Sequence, residues 1–283
     1  MTLRNQLFKF SFMNMVRRSF THSFFLISVI IIFFGLCHAR AGWKLIWSDE
    51  FNGNSIDTNH WQFEEGNNEG WGNHELEYYT GRPENAYVSN GVLHIVARQE
   101  STNSFAFTSA RMKSEGLFAQ KYGRFEFRAK FPQGKGYWPA LWLMPNDSAY
   151  GGWPSCGEID VTENKGDYPA VVQGTIHYAD AQGGHLQSTD LYTFPQGSGA
   201  NDFHTYLLQW TTNSIAWYVD NQLYETQTNW STSTAPYPAP FNQPFYIIMN
   251  LAIGGIYDGD PDTNTVFPGE MQVDYIRVYD DTD

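Results

Sequence analysis

Cysteine is almost absent from this chain. Only Cys37 and Cys156 occur in 283 residues, which excludes a small disulfide-stapled scaffold and leaves the fold to its core. Basic residues are scarce as well, 17 Lys and Arg against 30 Asp and Glu, for a formal net charge of −13. A surface of that sign repels a phosphate backbone, so nucleic acid is excluded as a partner, whereas a neutral polysaccharide is indifferent to it. The eight His include no pair at metal-ligand spacing on a common element. Gly183-Gly184 and Gly254-Gly255 lack the flanking Lys, Ser or Thr of a phosphate loop and read as turns. Long helical periodicity, internal repeats and low-complexity tracts are missing after residue 41.

Long apolar runs are also lacking. The longest near the start, Phe24 to Cys37, has 14 residues, short of the ~20 needed to span a bilayer. Arg4, Lys9, Arg17 and Arg18 precede it and Ala39-Arg40-Ala41 follows, the pattern of a secretory signal over residues 1–41 that is cleaved near Ala41. The stretch before Arg17 is long for a signal, and initiation at Met13 or Met15 gives a more ordinary one. Arg17-Arg18-Ser19-Phe20 partly resembles a twin-arginine signal. The mature protein is expected to be secreted, extracellular or periplasmic, with no stable membrane anchor. Loss of the signal removes five of the 17 basic residues and no acidic one, leaving 12 against 30. Cys37 leaves with it, and Cys156 is read as a small buried packing residue, because nearby acids oppose thiolate formation.

What remains, residues 42–283, reads as one all-β domain of a size that single sandwiches reach. Phe125 to Phe131 alternates apolar and charged residues, and Ile215 to Val219, Phe245 to Leu251 and Tyr275 to Tyr279 are β-branched and aromatic. The expected architecture is an antiparallel two-sheet jelly-roll sandwich with a concave substrate cleft on one face. Thr226 to Pro240, rich in Ser, Thr and Pro, is expected to be a long surface loop.

The densest chemistry lies in Gly-Glu-Ile-Asp-Val-Thr-Glu, residues 157–163. On a regular strand Glu158 and Asp160 share a face, Ile159 and Val161 point the other way, and Glu163 faces wrongly. One β-bulge near Val161 or Thr162 returns Glu163 to the acidic face. Four effective steps then separate the two Glu backbones by about 13 Å, from which leaning side chains reach the ~5–5.5 Å carboxyl spacing of a retaining glycosidase. A solvated acidic strand or a cation site is the plainer reading, but cation loops favour turn-rich segments over acids interleaved with Ile and Val. Aromatic residues make up 17% of the chain, and sugar rings need flat apolar side chains with polar tips. Trp138, Trp142 and Trp153 are the candidates for such contacts, Trp142 the weaker because it lies in a more apolar run.

These residues resemble a known family. The acid cluster, Lys121 to Pro145 before it, Asn73 to Asn85, Asp202 to Tyr224, Gln243 to Gly255 and Met271 to Tyr279 are together similar to glycoside hydrolase family 16, and specifically to its laminarinase-like endo-β-1,3-glucanases. The resemblance implies Glu158 as nucleophile, Asp160 as its assistant and Glu163 as acid/base. It implies Trp138, Trp142, Trp153, His177, Asn85 and Arg111 as substrate contacts. The bulged motif is the form associated with β-1,3-glucanases. Thr162, where an apolar residue such as Met is usual, and Cys156 are small departures. No catalytic cofactor is implied, but a structural Ca²⁺ is, held by Asp274 and by backbone carbonyls of Glu50 and Gly91. The expected activity is retaining endo-hydrolysis of β-1,3-glucan by a monomer. A relative acting on mixed-linkage glucan or galactan, or by transglycosylation, and a noncatalytic glucan-binding lectin are the alternatives.

Overall fold

Alternation of apolar and polar residues after Gly42 produces strands almost throughout. The computed structural model describes residues 42–282, so the expected signal over residues 1–41 lies outside the described residues. In chain order the strands are β1 (Trp43–Asp49), β2 (Gln62–Glu64), β3 (Glu77–Tyr79), β4 (Ala86–Ser89), β5 (Val92–Thr102) and β6 (Phe105–Ser109). There follow β7 (Arg111–Lys113), β8 (Gly123–Lys130), β9 (Tyr137–Pro145), β10 (Glu158–Asn164), β11 (Val171–Ala179) and β12 (His185–Thr193). The chain ends with β13 (His204–Trp210), β14 (Ile215–Val219), β15 (Gln222–Gln227), β16 (Phe245–Ile253) and β17 (Gly269–Asp281). Among the described residues the only α-helix is the single turn Gly255–Asp258, consistent with the missing helical period.

Two sheets form the sandwich. One runs β15-β14-β13-β8-β17-β5-β6-β3, with β1 added beside β17 and β4 beside β5, and the other runs β12-β11-β10-β9-β16-β7-β2. This is the predicted all-β, jelly-roll-like architecture, with one parallel pair, β3 against β6. Phe125, Phe127, Tyr206, Trp210 and Trp217 from the first sheet pack on Leu141, Leu143, Ile159, Val161 and Ile176 from the second. Each such side chain, withdrawn from water, contributes about 1.5–3 kcal/mol before the cost of ordering it. The β4–β5 hairpin turns on Asn90 and Gly91, both at positive φ (52° and 75°), the backbone that an Asn-Gly pair adopts most readily. The Ser/Thr/Pro-rich segment does form an irregular loop after β15, but Trp230 and Phe241 are buried and pin it to the sandwich.

One edge of β17 pairs with β8 over Gln272 to Tyr279. The other edge is divided, β5 pairing up to Val273 and β1 from Ile276 onward. Asp274 and Tyr275 therefore face the junction where β5 begins, just after Gly91, and β1 ends, just before Glu50. A register shift against β8 falls at the same place.

Candidate active site

The acidic strand β10 has the predicted irregularity. Glu158 pairs with His177 and Asp160 with Thr175 on β11, after which the register jumps to Glu163 opposite Gln173. Against β9, Asp160 opposite Trp142 is followed by Thr162 opposite Leu141. Val161 is the extra residue. Its side chain and that of Ile159 enter the core, while Glu158, Asp160 and Glu163 line one cleft. The bulge is held from the opposite layer, for Trp217 of β14 donates its indole N–H to the Asp160 carbonyl at 2.8 Å. Gly174 of β11 makes room for that ring: a Cβ there would lie 2.5 Å from Trp217 Cδ1 and 2.7 Å from its Nε1.

The cleft has a volume of about 700 Å³ and crosses the outer face of the seven-stranded sheet. Alternation along β9 places Trp138, Ala140 and Trp142 in it and Tyr137, Leu141 and Leu143 beneath. Each of the two glutamates is oriented by an indole. Trp153 donates to Glu158 Oε2 at 2.7 Å and Trp138 to Glu163 Oε1 at 2.8 Å, and Gln173 adds a bond to Glu163 Oε2 at 3.1 Å. His177 Nε2 lies 3.2 Å from Asp160 Oδ2, which makes no well-angled hydrogen bond. His177 Nδ1 in turn meets His185 Nε2 at 2.8 Å. At the far wall the Arg111 guanidinium is sandwiched between Trp71 and Trp142, 4.3 and 4.7 Å from the ring centroids.

Burial raises all three carboxyls above their ordinary values. It pushes Glu158 up to about 8, reinforced by Asp160 and opposed by His177. Asp160 is raised well above the carboxylate range by burial and then by Glu163. Glu163 is raised by burial against the pull of the Trp138 hydrogen bond. Glu158 keeps a water-accessible face through the cleft mouth, but its carboxyl is walled by Trp153, His177 and the neighbouring acids, so the upward direction stands. Desolvation comes first and acts on the whole trio. Cys156 behaves as predicted, buried and with its thiol pushed up to about 11 by burial and Glu158.

Of the predicted contacts, Trp138, Trp142, Trp153, His177 and Arg111 all line the cleft. Trp142 is no core residue despite its apolar surroundings, because it alternates with Leu141 and Leu143 and donates to Asn250 Oδ1 at 2.7 Å. Asn85 is a correction. It is fully buried away from the cleft, where its amide donates to Val96 O at 2.9 Å and Thr108 Oγ1 at 3.0 Å and accepts from Thr80 and Arg82. Its work is to satisfy polar groups among β4, β5 and β6. At the predicted calcium position Asp274 accepts from Arg128, and the Glu50 carboxylate accepts from Arg277. Donor atoms close enough to share a cation occur instead at Glu158, Asp160 and His177, within 4.8 Å of one another, and these belong to the cleft chemistry.

Several cleft residues escaped the sequence reading. Trp71, Asn73 and Glu75 come from the loop before β3, Asn250 from β16, and Tyr257 from the helical turn, where it stacks on Trp138 at 4.7 Å. A directed chain links some of them: Trp142 to Asn250, Asn250 Nδ2 to Tyr79 Oη at 3.1 Å, and Tyr79 Oη to Glu75 Oε2 at 3.1 Å. The one available signal was Asn250, a polar residue inside the apolar run Phe245–Ile253, where a buried amide demands partners.

The model of the family described as Glycosyl hydrolases family 16 matches residues 73–277. The glucan endo-1,3-beta-glucosidase A1 of Niallia circulans is 45% identical over 261 residues, covering 85% of this chain and 38% of its own length. The beta-glucanase of Rhodothermus marinus is 43% identical, covering 84% of this chain and 85% of its own. Among solved structures, the laminarinase catalytic domain of Thermotoga maritima superposes with a TM-score of 0.77 at 44% identity, covering 85% of this chain and 99% of that one.

Proposed function

The chain belongs to glycosyl hydrolases family 16 and is a glycosidase, and from that membership we propose that it hydrolyses internal β-1,3 linkages of laminarin-like glucan with retention of anomeric configuration. The observation that carries this reading is the bulged strand that sets Glu158, Asp160 and Glu163 in one row of the cleft. In the first step a Glu158 carboxylate oxygen bonds to the anomeric carbon as the glycosidic C–O bond breaks, and the Glu163 proton passes to the leaving oxygen. In the second, Glu163 takes a proton from water, whose oxygen displaces Glu158 from the sugar carbon. The Trp153 N–H stabilises ionised Glu158, and burial disfavours a second negative charge on Asp160, deepest of the three, while Glu163 holds the proton that it delivers. Trp138, Trp142 and the Arg111 sandwich form the walls on which sugar faces lie.

Laminarin digestion followed by proton NMR tests both parts of the reading. Reducing ends should appear first as the β-anomer, and curdlan should be cut in preference to lichenan and agarose. An initial α-anomer would remove the double displacement, and no reducing sugar from any of the four would remove the glucanase.

The reading extends to export, with cleavage near Ala41, testable by the N-terminal sequence of protein recovered outside the cytoplasm. It also extends to a structural Ca²⁺ on Asp274 and the main-chain carbonyls of Glu50 and Gly91. The β1–β5 junction suits a hard cation, and Arg128 competes with it for the carboxylate. Calcium should therefore raise the melting temperature of the wild type, raise that of Arg128→Ala further, and leave Asp274→Ala unchanged. Identical responses from all three would exclude this site.

A further inference from the structure

Beyond Glu163 the cleft does not end. A second groove of about 410 Å³ shares Lys165, Gln173 and Tyr257 with it and is completed by Tyr168, Leu191 and the start of β11. The two lie along one row of the sheet, since Glu163 pairs with Gln173 and Gln173 with Leu191. Cross-strand partners share a face, so Leu191 stands on the cleft side two strands from Glu163, roughly 10 Å away. Its neighbour Tyr192 is buried, consistent with that alternation. Tyr168 and Leu191 are 62% and 56% exposed, large apolar side chains left in water on a wall of the groove. Lys165 places its ammonium 4.8 Å from the Tyr257 ring centroid, and Gln173 offers an amide. Apolar faces flanked by a few hydrogen-bonding groups are the surface that a pyranose ring needs.

We infer that this groove is an additional binding subsite for the same glucan chain as it leaves the cleft past Glu163, with the C–H face of a glucosyl residue seated on Tyr168 and Leu191. Because Lys165, Gln173 and Tyr257 border both spaces, one unbroken chain can occupy them together. The inference rests on the glucan-hydrolase reading above, and it commits to a continuing β-1,3-glucan strand as occupant. Long substrates gain a contact that short ones cannot reach, so the groove sets chain-length preference.

The test compares wild type, Tyr168→Ala, Leu191→Ala and Tyr168→Phe on β-1,3-gluco-oligosaccharides of increasing length. KM of the wild type should fall with length, and the two Ala variants should lose that gain, raising KM on the longest members roughly five- to tenfold. KM on the shortest cleaved oligomer and kcat should stay at wild-type values, and Tyr168→Phe should restore the long-chain advantage. A change equal at every length, or none at all, overturns the proposal. Affinity electrophoresis through laminarin reads the groove without turnover: in a Glu158→Gln background, adding Tyr168→Ala should weaken the retardation that Glu158→Gln alone shows. Equal retardation of the two defeats the groove. Retardation without any cleavage by the wild type would defeat the hydrolase reading and leave the groove standing.

Discussion

Glu163 accepts from the Trp138 indole and from the Gln173 amide, and both bonds favour its ionised form while burial favours the protonated one. Replacing Trp138 by Phe keeps the ring and removes the donor. The alkaline limb of the kcat/KM profile, which reports loss of the Glu163 proton, should then move to higher pH. An unmoved limb would show that another group carries that proton. Trp138→Ala removes the sugar-stacking face as well, and should raise KM by the equivalent of about 1–3 kcal/mol. At this scale the acids were legible from spacing alone, because three carboxylates on an apolar strand have few structural reasons to exist. Asn85 was not, since motif position says nothing of whether an amide faces a cleft or closes a buried network. Glu75 and Tyr257 were illegible for a different reason: they reach the site from a loop and from a helical turn, where no periodicity shows which way a side chain points.

The acidic strand is a case in which the facing of a catalytic group depends on how one extra residue is accommodated. Deleting Val161 shortens the step from Glu158 to Glu163 from five residues to four, which regular alternation keeps on one face, so Glu163 should stay in the cleft and hydrolysis should persist above the level of Glu163→Ala. Activity no higher than that of Glu163→Ala would mean that a bulge had re-formed at a neighbouring residue and turned Glu163 toward the core. Gly174→Ala probes the same element from the next strand. The added methyl enters the space of the Trp217 ring and should push the indole off the Asp160 carbonyl, lowering kcat together with the melting temperature. A kcat loss without a thermal loss would place the effect elsewhere. β10 was foreseeable because its alternation fails in one identifiable place. Its setting was not, since the sequence does not show that β9 separates it from β16 or that β14 reaches across the core to hold it. Those pairings come from distant segments whose contacts form only when the layers close.

Across the whole molecule, buried acids make stability depend on pH in an unusual direction. Glu158 titrates at about 8 in the folded chain against 4.5 ordinarily. Below about pH 4.5 both folded and unfolded forms carry the proton and nothing is lost. Between 4.5 and 8 only the unfolded form releases it, so stability falls as pH rises through that window. Glu225, pushed up to about 7 by burial, acts in the same sense. Glu158→Gln should therefore raise the melting temperature at pH 8 more than at pH 4 while eliminating turnover, and a uniform rise across pH would contradict the linkage. The tie between Trp217 and the Asp160 carbonyl carries a further consequence, for how the enzyme dies on heating. The acids keep their common side only while the two layers remain in register, so no partly softened form can retain an aligned trio. Heat inactivation and separation of the layers should be one event at one temperature, with no lukewarm range in which an intact fold has already stopped working.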